Sequence, residues 1–166
     1  MRFLEPAQLR GLDARALEEL LGRTEAVIVA AEGELRGFAA AALLFADFAV
    51  LHPGSMLHLD APEVWAGVTW RLGRGALRLY LSGAASFTAE DALTRGLCDD
   101  VTDAAPADWL AGWMRNRSPL ALDSAATLIR ARGGDALERA EFARLFAIGE
   151  PQEGLAAFLG KRPPRF

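Results

Sequence analysis

Residues 24–59 read TEAVIVAAEGELRGFAAAALLFADFAVLHPGSMLHL. The run Ala26-Val27-Ile28-Val29-Ala30-Ala31 is apolar, rich in β-branched residues and too short for a typical helix, so it predicts a buried strand. Gly33 breaks it. Gly37 to Phe45 is a nearly continuous run of small apolar residues and predicts a helix that Asp47 stops. Phe48 to Leu51 predicts a second buried strand, Pro53-Gly54 a turn, and Ser55 to Leu59 a third short strand. The order strand, turn, helix, strand, turn, strand belongs to an α/β layer.

Toward the N-terminus, residues 7–22 predict a helix. Asp13 is the N-cap of Ala14 to Leu21, Leu17, Leu20 and Leu21 share one face, and Gly22 is the stop. In the other direction, Asp60 or Pro62 opens a helix with Glu63 in its first turn. Gly75 to Leu81 is amphipathic, with Leu77, Leu81 and Tyr80 as its inward set. Thr88 N-caps a helix from Ala89 to Arg95 that Gly96 closes. Leu97 to Val101 returns as a short edge strand with Asp99 and Asp100 in solvent. A parallel-rich sheet of residues 25–31, 48–51, 55–59 and 97–101 is therefore expected.

From Pro106 onward every pattern is helical. Pro106 to Arg115 carries Trp109, Leu110, Trp113 and Met114 on one stripe. Ser118-Pro119 opens a helix to Arg132, apolar at Leu120, Leu122, Ala125 and Ile129 and closed by Gly133-Gly134. Asp135 caps a helix through Ile148, with Leu137, Phe142, Leu145 and Phe146 as its apolar set, and Gly149 ends it. Pro151 to Leu159 is a last short helix that Pro163-Pro164 cannot continue. No repeat, low-complexity segment or linker interrupts the chain, so one domain is expected, with an α/β core over 1–105 and a helical region over 106–166.

A chain of 166 residues with 52% hydrophobic content is long enough for a real core. No apolar run is long and uncharged enough to span a bilayer. Met1 to Pro6 lacks the apolar core of a signal peptide, so a cytoplasmic location is the expectation. Cys98 is the only cysteine; it excludes an internal disulfide and reads as a small apolar strand residue. A net charge of −4 argues against general nucleic-acid binding. His52 and His58, without a clustered carboxylate, are a poor metal signal and predict surface or edge positions. Arg71, Arg74 and Arg78 recur at helical spacing, and Lys161, Arg162 and Arg165 crowd the C-terminus. Each cluster reads as a solvated face or as a set of phosphate contacts.

From about Ala26 to Phe166 the chain resembles the crotonase (enoyl-CoA hydratase/isomerase) superfamily. Gly33 and Asp47 keep the family's separation between the turn glycine and the helix-ending aspartate. Pro62-Glu63 fits its Pro-Glu pair. Leu81-Ser82-Gly83, Thr88-Ala89-Glu90-Asp91-Ala92 and Gly96-Leu97 fit its late motif, and Glu153 to Phe158 with Lys161-Arg162-Pro163 fits its C-terminal signature. The resemblance implies a ClpP/crotonase-type ββα core with a helical C-terminal region. That core is shortened at its N-terminus: residues 7–22 do not match the family's N-terminal half, which supplies the adenine-cupping segment and one oxyanion N–H. A naturally short gene or a partner chain would account for that.

The same resemblance assigns roles. The helix after the Gly-rich turn points its N–H groups at a thioester oxygen and stabilises an enolate. Phe38 falls where the family's oxyanion glycine donates its backbone N–H; Phe38 equally reads as a core anchor. Ala41 falls where hydratases carry their first catalytic glutamate, and Glu63 falls on the second. Glu63 equally reads as a surface carboxylate in a helix's first turn. Arg71, Arg74, Lys161 and Arg162 are the candidates for coenzyme A. No metal and no cofactor beyond the coenzyme A thioester substrate is implied. With at most one carboxylate, an isomerase or decarboxylase is expected rather than a hydratase. A non-catalytic crotonase-fold scaffold, or an accessory to an intact paralogue, is the alternative. A helical binding module unrelated to acyl-CoA is a third reading, which the late motifs oppose. A homo-oligomer, a trimer or a hexamer, is expected, with no nucleic-acid or membrane partner.

Overall fold

The computed structural model describes residues 1–131 and 134–166. Two compact units emerge, one of Arg2–Arg23 with Val27–Ala104, the other of Met1, Thr24–Ala26 and Ala105–Phe166.

The first unit runs β1 (Arg2–Leu4), α1 (Pro6–Leu9), α2 (Ala14–Leu21), β2 (Val27–Ala31), β3 (Glu34–Leu35), α3 (Gly37–Phe45), β4 (Phe48–Leu51), β5 (Met56–His58), α4 (Val64–Leu72), α5 (Gly75–Leu81), β6 (Ser86–Thr88), α6 (Ala89–Thr94) and β7 (Asp100–Val101). One sheet has the order β1-β2-β4-β7, all parallel. The other has the order β3-β5-β6, with β5 parallel to β3 and antiparallel to β6. This is an α/β fold.

The single sheet expected from the sequence is two sheets, because residues 55–59 do not join 48–51. Two neighbouring chain segments bend at the same level. Gly33, at φ +82°, separates β2 from β3, and Pro53-Gly54 separates β4 from β5. Backbone bonds hold the two bends together, from His52 N–H to the Ala31 carbonyl (2.9 Å) and from Met56 N–H to the Gly33 carbonyl (3.0 Å). Only glycine reaches such a φ without strain. β1, β3 and β6 are too short to leave a periodic signal.

Every residue of β2 is buried, as in a parallel strand covered on both faces. Ala40 to Leu44 of α3 are wholly buried, so this helix is apolar all round. Asp47 does more than end it. Its carboxylate accepts the Val27 N–H at 2.7 Å, and its own N–H donates to the Val27 carbonyl at 2.8 Å. Asp99 repeats the device against Ala49, with the same two distances. Each aspartate thus starts the pairing of two neighbouring strands. Asp99 is exposed as expected, but it is not merely solvated.

The caps at Asp13 and Thr88 accept the N–H groups of Ala16 and Asp91 as expected. Three other expectations change. α5 is rotated: Ala76 and Leu79 are buried, while Leu77, Tyr80 and Leu81 face outward. Leu97 to Cys98 is buried chain leading into a two-residue strand at 100–101, not a strand throughout. His58 lies on the central strand of its sheet and is buried; only His52 is exposed.

The second unit holds α7 (Pro106–Met114), α8 (Pro119–Arg130), α9 (Asp135–Ala147) and α10 (Glu150–Leu159). Trp109, Leu110, Trp113 and Met114 are half-buried on one stripe, as expected. Ser118 caps α8 by accepting the Ala121 N–H. The expected end of that helix at Arg132 with Gly133 lies outside the described residues. Its buried positions are Ser124 and Ala126, while Leu120 and Ile129 are exposed. Ser124 is buried because it donates to Glu141, and Arg144 in turn holds both. Gly134, not Asp135, is the N-cap of α9; Asp135 is its first helical residue and makes no cap bond. Phe142, Phe146, Phe158 and Leu159 are exposed, so the apolar faces of α9 and α10 stay largely uncovered.

Candidate active site

The site is built where α3 begins. Arg36, the N-cap of α3, is extended and no side chain caps the helix. The leading N–H groups of an uncapped helix are orphan donors at the positive end of its dipole. Gly37, at φ +51°, opens the helix there.

α4 brings a carboxylate to the same point. Glu63 is its N-cap, half-buried, with helical backbone and no cap bond from its side chain. Glu63 Oε1 lies 3.1 Å from where a Cβ on Gly37 would stand. Glu63 therefore sits against the start of α3 rather than capping its own helix. Close packing of α3 and α4 fixes that placement. Gly67 of α4 rests against Leu44 and Phe45 of α3, where a Cβ would fall 2.6 Å from Leu44 Cβ.

Beside the turn that leads into α3 lies a cleft of about 460 Å³, lined in part by Gly33, Glu34, Arg36 and Phe38. Phe38 is half-buried at its wall. The charges around the cleft are paired: Arg10 with Glu32 at 3.4 Å, and Arg36 with both Asp60 and Glu34. Ala41, one turn into α3, is fully buried and offers nothing to the cleft.

No family model matches the chain. The chain is 34% identical over 164 residues to 2,3-dehydroadipyl-CoA hydratase of Escherichia coli (strain K12), covering 84% of this chain and 62% of that protein. DspI of Pseudomonas aeruginosa superposes with a TM-score of 0.69 at 27% identity, over 91% of this chain and 64% of that one. An enoyl-CoA hydratase/isomerase family protein of Hyphomonas neptunium superposes with a TM-score of 0.72 at 25% identity, over 92% of this chain and 65% of that one. The chain belongs to the crotonase superfamily. It spans less than two thirds of the length of the curated relative it matches.

Within this crotonase fold the residues named from the sequence separate into groups. Glu63 lies against Gly37 at the start of α3, with Phe38 the next residue along that helix. Arg71 does not join them. Its side chain is 7% exposed and makes a bidentate pair with Asp99 at 3.0 and 3.1 Å. A third bond, at 3.1 Å, reaches the Ala46 carbonyl, so the group is committed within the fold. Arg74 is the exposed N-cap of α5. Lys161 and Arg162 belong to the second unit, where Arg162 grips Glu153 at 2.7 and 2.9 Å. That grip, with the Arg165 N–H, holds the Glu153 carboxyl far down, at about 2. The lone Cys98 is buried, and desolvation pushes its thiol up to about 12.

Sequence reasoning missed the polar network of Glu34, Arg36, His58, Asp60 and Ser86. The alternation Met56-Leu57-His58 was its only trace, and three residues are too few to read. Among the described residues no three His, Cys, Asp or Glu side chains are placed to hold a metal ion. No helix among them is long and apolar enough to cross a membrane.

Proposed function

We propose that the protein handles acyl-CoA thioesters as an enoyl-CoA hydratase/isomerase-like member of its superfamily. Its chemistry would be of the one-carboxylate type, isomerisation or decarboxylation rather than hydration. The observation that carries this reading is Glu63 Oε1 against Gly37 at the uncapped start of α3. A thioester oxygen at that N-terminus would accept the Phe38 N–H as enolate charge develops. Glu63, beside it, would take a proton from the acyl chain on one carbon and return it on another. No separate cofactor is needed for that shift.

Hydration also needs a second group, to hold water or to protonate carbon. Ala41 supplies none and is buried in the core. Crotonyl-CoA hydration by the purified chain should therefore be negligible, while a 3-enoyl-CoA should isomerise and lose that turnover in Glu63→Gln. Hydration at ordinary enzymatic efficiency would overturn the reading.

A second reading, a non-catalytic scaffold or an accessory to an intact paralogue, is favoured by Phe38. Phe38 lines the cleft beside the start of α3 and takes up room there, where the family's glycine would leave it open. Absence of turnover on both substrates, with intact binding of a longer relative, would select it.

Free coenzyme A should bind weakly, through Arg74, Lys161 or Arg162 at most, since Arg71 is already bonded. We expect a homo-oligomer, a trimer or hexamer, in the cytoplasm; the uncovered apolar faces of α9 and α10 support the association itself. Light scattering that gives a monomer at micromolar concentration would count against it.

A further inference from the structure

The outer face of the β3-β5-β6 sheet carries a cluster that the Glu63 chemistry does not use. Along β5, Leu57 turns into the core and His58 turns the other way, and the register sets His58 opposite Ser86. The Leu59 N–H donates to the Ala85 carbonyl at 2.7 Å. Antiparallel pairs alternate, so Leu59–Ala85 is a backbone-bonded pair and His58–Ser86 is the close, non-bonded kind. That register has two results. Ser86 Oγ comes to 2.8 Å from His58 Nδ1. The Ser86 N–H points away from β5, toward the open side of an edge strand.

On the far side of the ring, His58 Nε2 lies 2.5 Å from Glu34 Oε2. An ionised carboxylate only accepts, so Nε2 faces Glu34 with its proton, and in the neutral imidazole Nδ1 then holds the lone pair. In that tautomer the Ser86 hydroxyl donates to Nδ1. Arg36, 3.6 Å from Glu34, pairs with that carboxylate and also with Asp60. The imidazole is 8% exposed and held at both nitrogens, while Ser86 stands in solvent. A hydroxyl bonded to a buried, carboxylate-oriented imidazole is the arrangement that activates a serine nucleophile.

We propose that Ser86 is a nucleophile that takes an acyl group from activated esters or thioesters, with His58 as its general base and Glu34 as the positioning residue. Ser86 Oγ attacks the acyl carbon and its proton passes to His58 Nδ1. The C–O or C–S bond breaks, and His58 returns the proton to the departing alkoxide or thiolate. Water then cleaves the acyl-serine by the same route, giving a carboxylic acid and free Ser86. The outward Ser86 N–H is a donor for the carbonyl oxygen, and Glu34 balances the transient imidazolium.

The test is p-nitrophenyl acetate with the full chain, read by release of p-nitrophenol and by peptide mapping. Acetylation should fall on Ser86, vanish in Ser86→Ala and persist in Ser82→Ala. His58→Asn should slow it about 100-fold or more. Glu34→Gln should slow it, and Glu34→Asp should restore part of the rate, which a purely structural role would not. Label spread over Lys161 and the N-terminus with Ser86 bare would overturn the proposal. So would Ser86 acetylation at an unchanged rate in His58→Asn. If His58→Asn loses its native circular dichroism, Ser86→Cys decides. Cys98 is buried with its thiol at about 12, so iodoacetamide at neutral pH reports position 86 alone. Alkylation faster than that of free glutathione supports activation by His58; an equal or slower rate refutes it.

Discussion

Gly67 rests directly on Leu44: a Cβ added to Gly67 would lie 2.6 Å from Leu44 Cβ. Real Cβ atoms do not approach that closely, so α3 and α4 are as near as they are because position 67 has no side chain. The contact sets how α4 presents Glu63 to Gly37.

Gly67→Ala should therefore separate the two helices and destabilise the protein by about 1–3 kcal/mol, the usual cost of overpacking. Glycine sits in a helix interior here, so the gain in helix propensity, about 1 kcal/mol, offsets part of it. A urea midpoint no lower than that of the parent would refute the close packing.

Arg71→Met should destabilise by about 2 kcal/mol, because charge-assisted bonds to Asp99 and the Ala46 carbonyl are lost together. Asp99 keeps its Ala49 partner, which limits the damage. Coenzyme A affinity should not change beyond that effect, and calorimetry on the folded variant checks it.

Cys98 should resist thiol reagents at pH 8 until the protein unfolds, since burial holds its thiol at about 12 against an ordinary 9.0. The folded state keeps its proton where the unfolded state has lost it, so this contribution is complete below pH 9 and is lost as pH rises toward 12. Denaturation midpoints of Cys98→Ala and parent across that window measure it.

Glu153 behaves in the opposite sense. Its hydrogen bonds from Arg162 and from the Arg165 N–H depress its carboxyl to about 2 from an ordinary 4.5. The contribution is present above pH 4.5 and fades as pH falls toward 2. Carbon-detected NMR should find Glu153 titrating near 2, and Arg162→Leu should move it back up.

Glu63→Gln should leave the fold nearly intact. The only loss is its favourable place at the start of α3, worth about 0.3–1 kcal/mol. If the protein isomerises enoyl thioesters, the same variant should cost about 100-fold or more in turnover. A thermal midpoint several degrees lower with full activity would mean that Glu63 is a structural residue.

The sequence by itself determined the elements whose signal is local. Val27 to Ala31 and Phe48 to Leu51 are strands because apolar, β-branched runs of that length bury both faces. Asp13, Thr88 and Ser118 cap helices because their side chains reach N–H groups three positions on. The family followed from motifs in order, Gly33 through Asp47 to Pro62-Glu63. The tertiary structure decided what depends on distant partners. Only register sets His58 against Ser86, and only the paired bends at Gly33 and Pro53-Gly54 move residues 34–35 and 56–58 into a second sheet. The outward face of α5 and the commitment of Arg71 to Asp99 also needed it. A hydrophobic stripe states that one face of a helix is apolar; it does not state which neighbour, within the chain or beyond it, covers that face. Charge clusters are equally silent, since a guanidinium finds its carboxylate 28 positions away only after the sheet has formed.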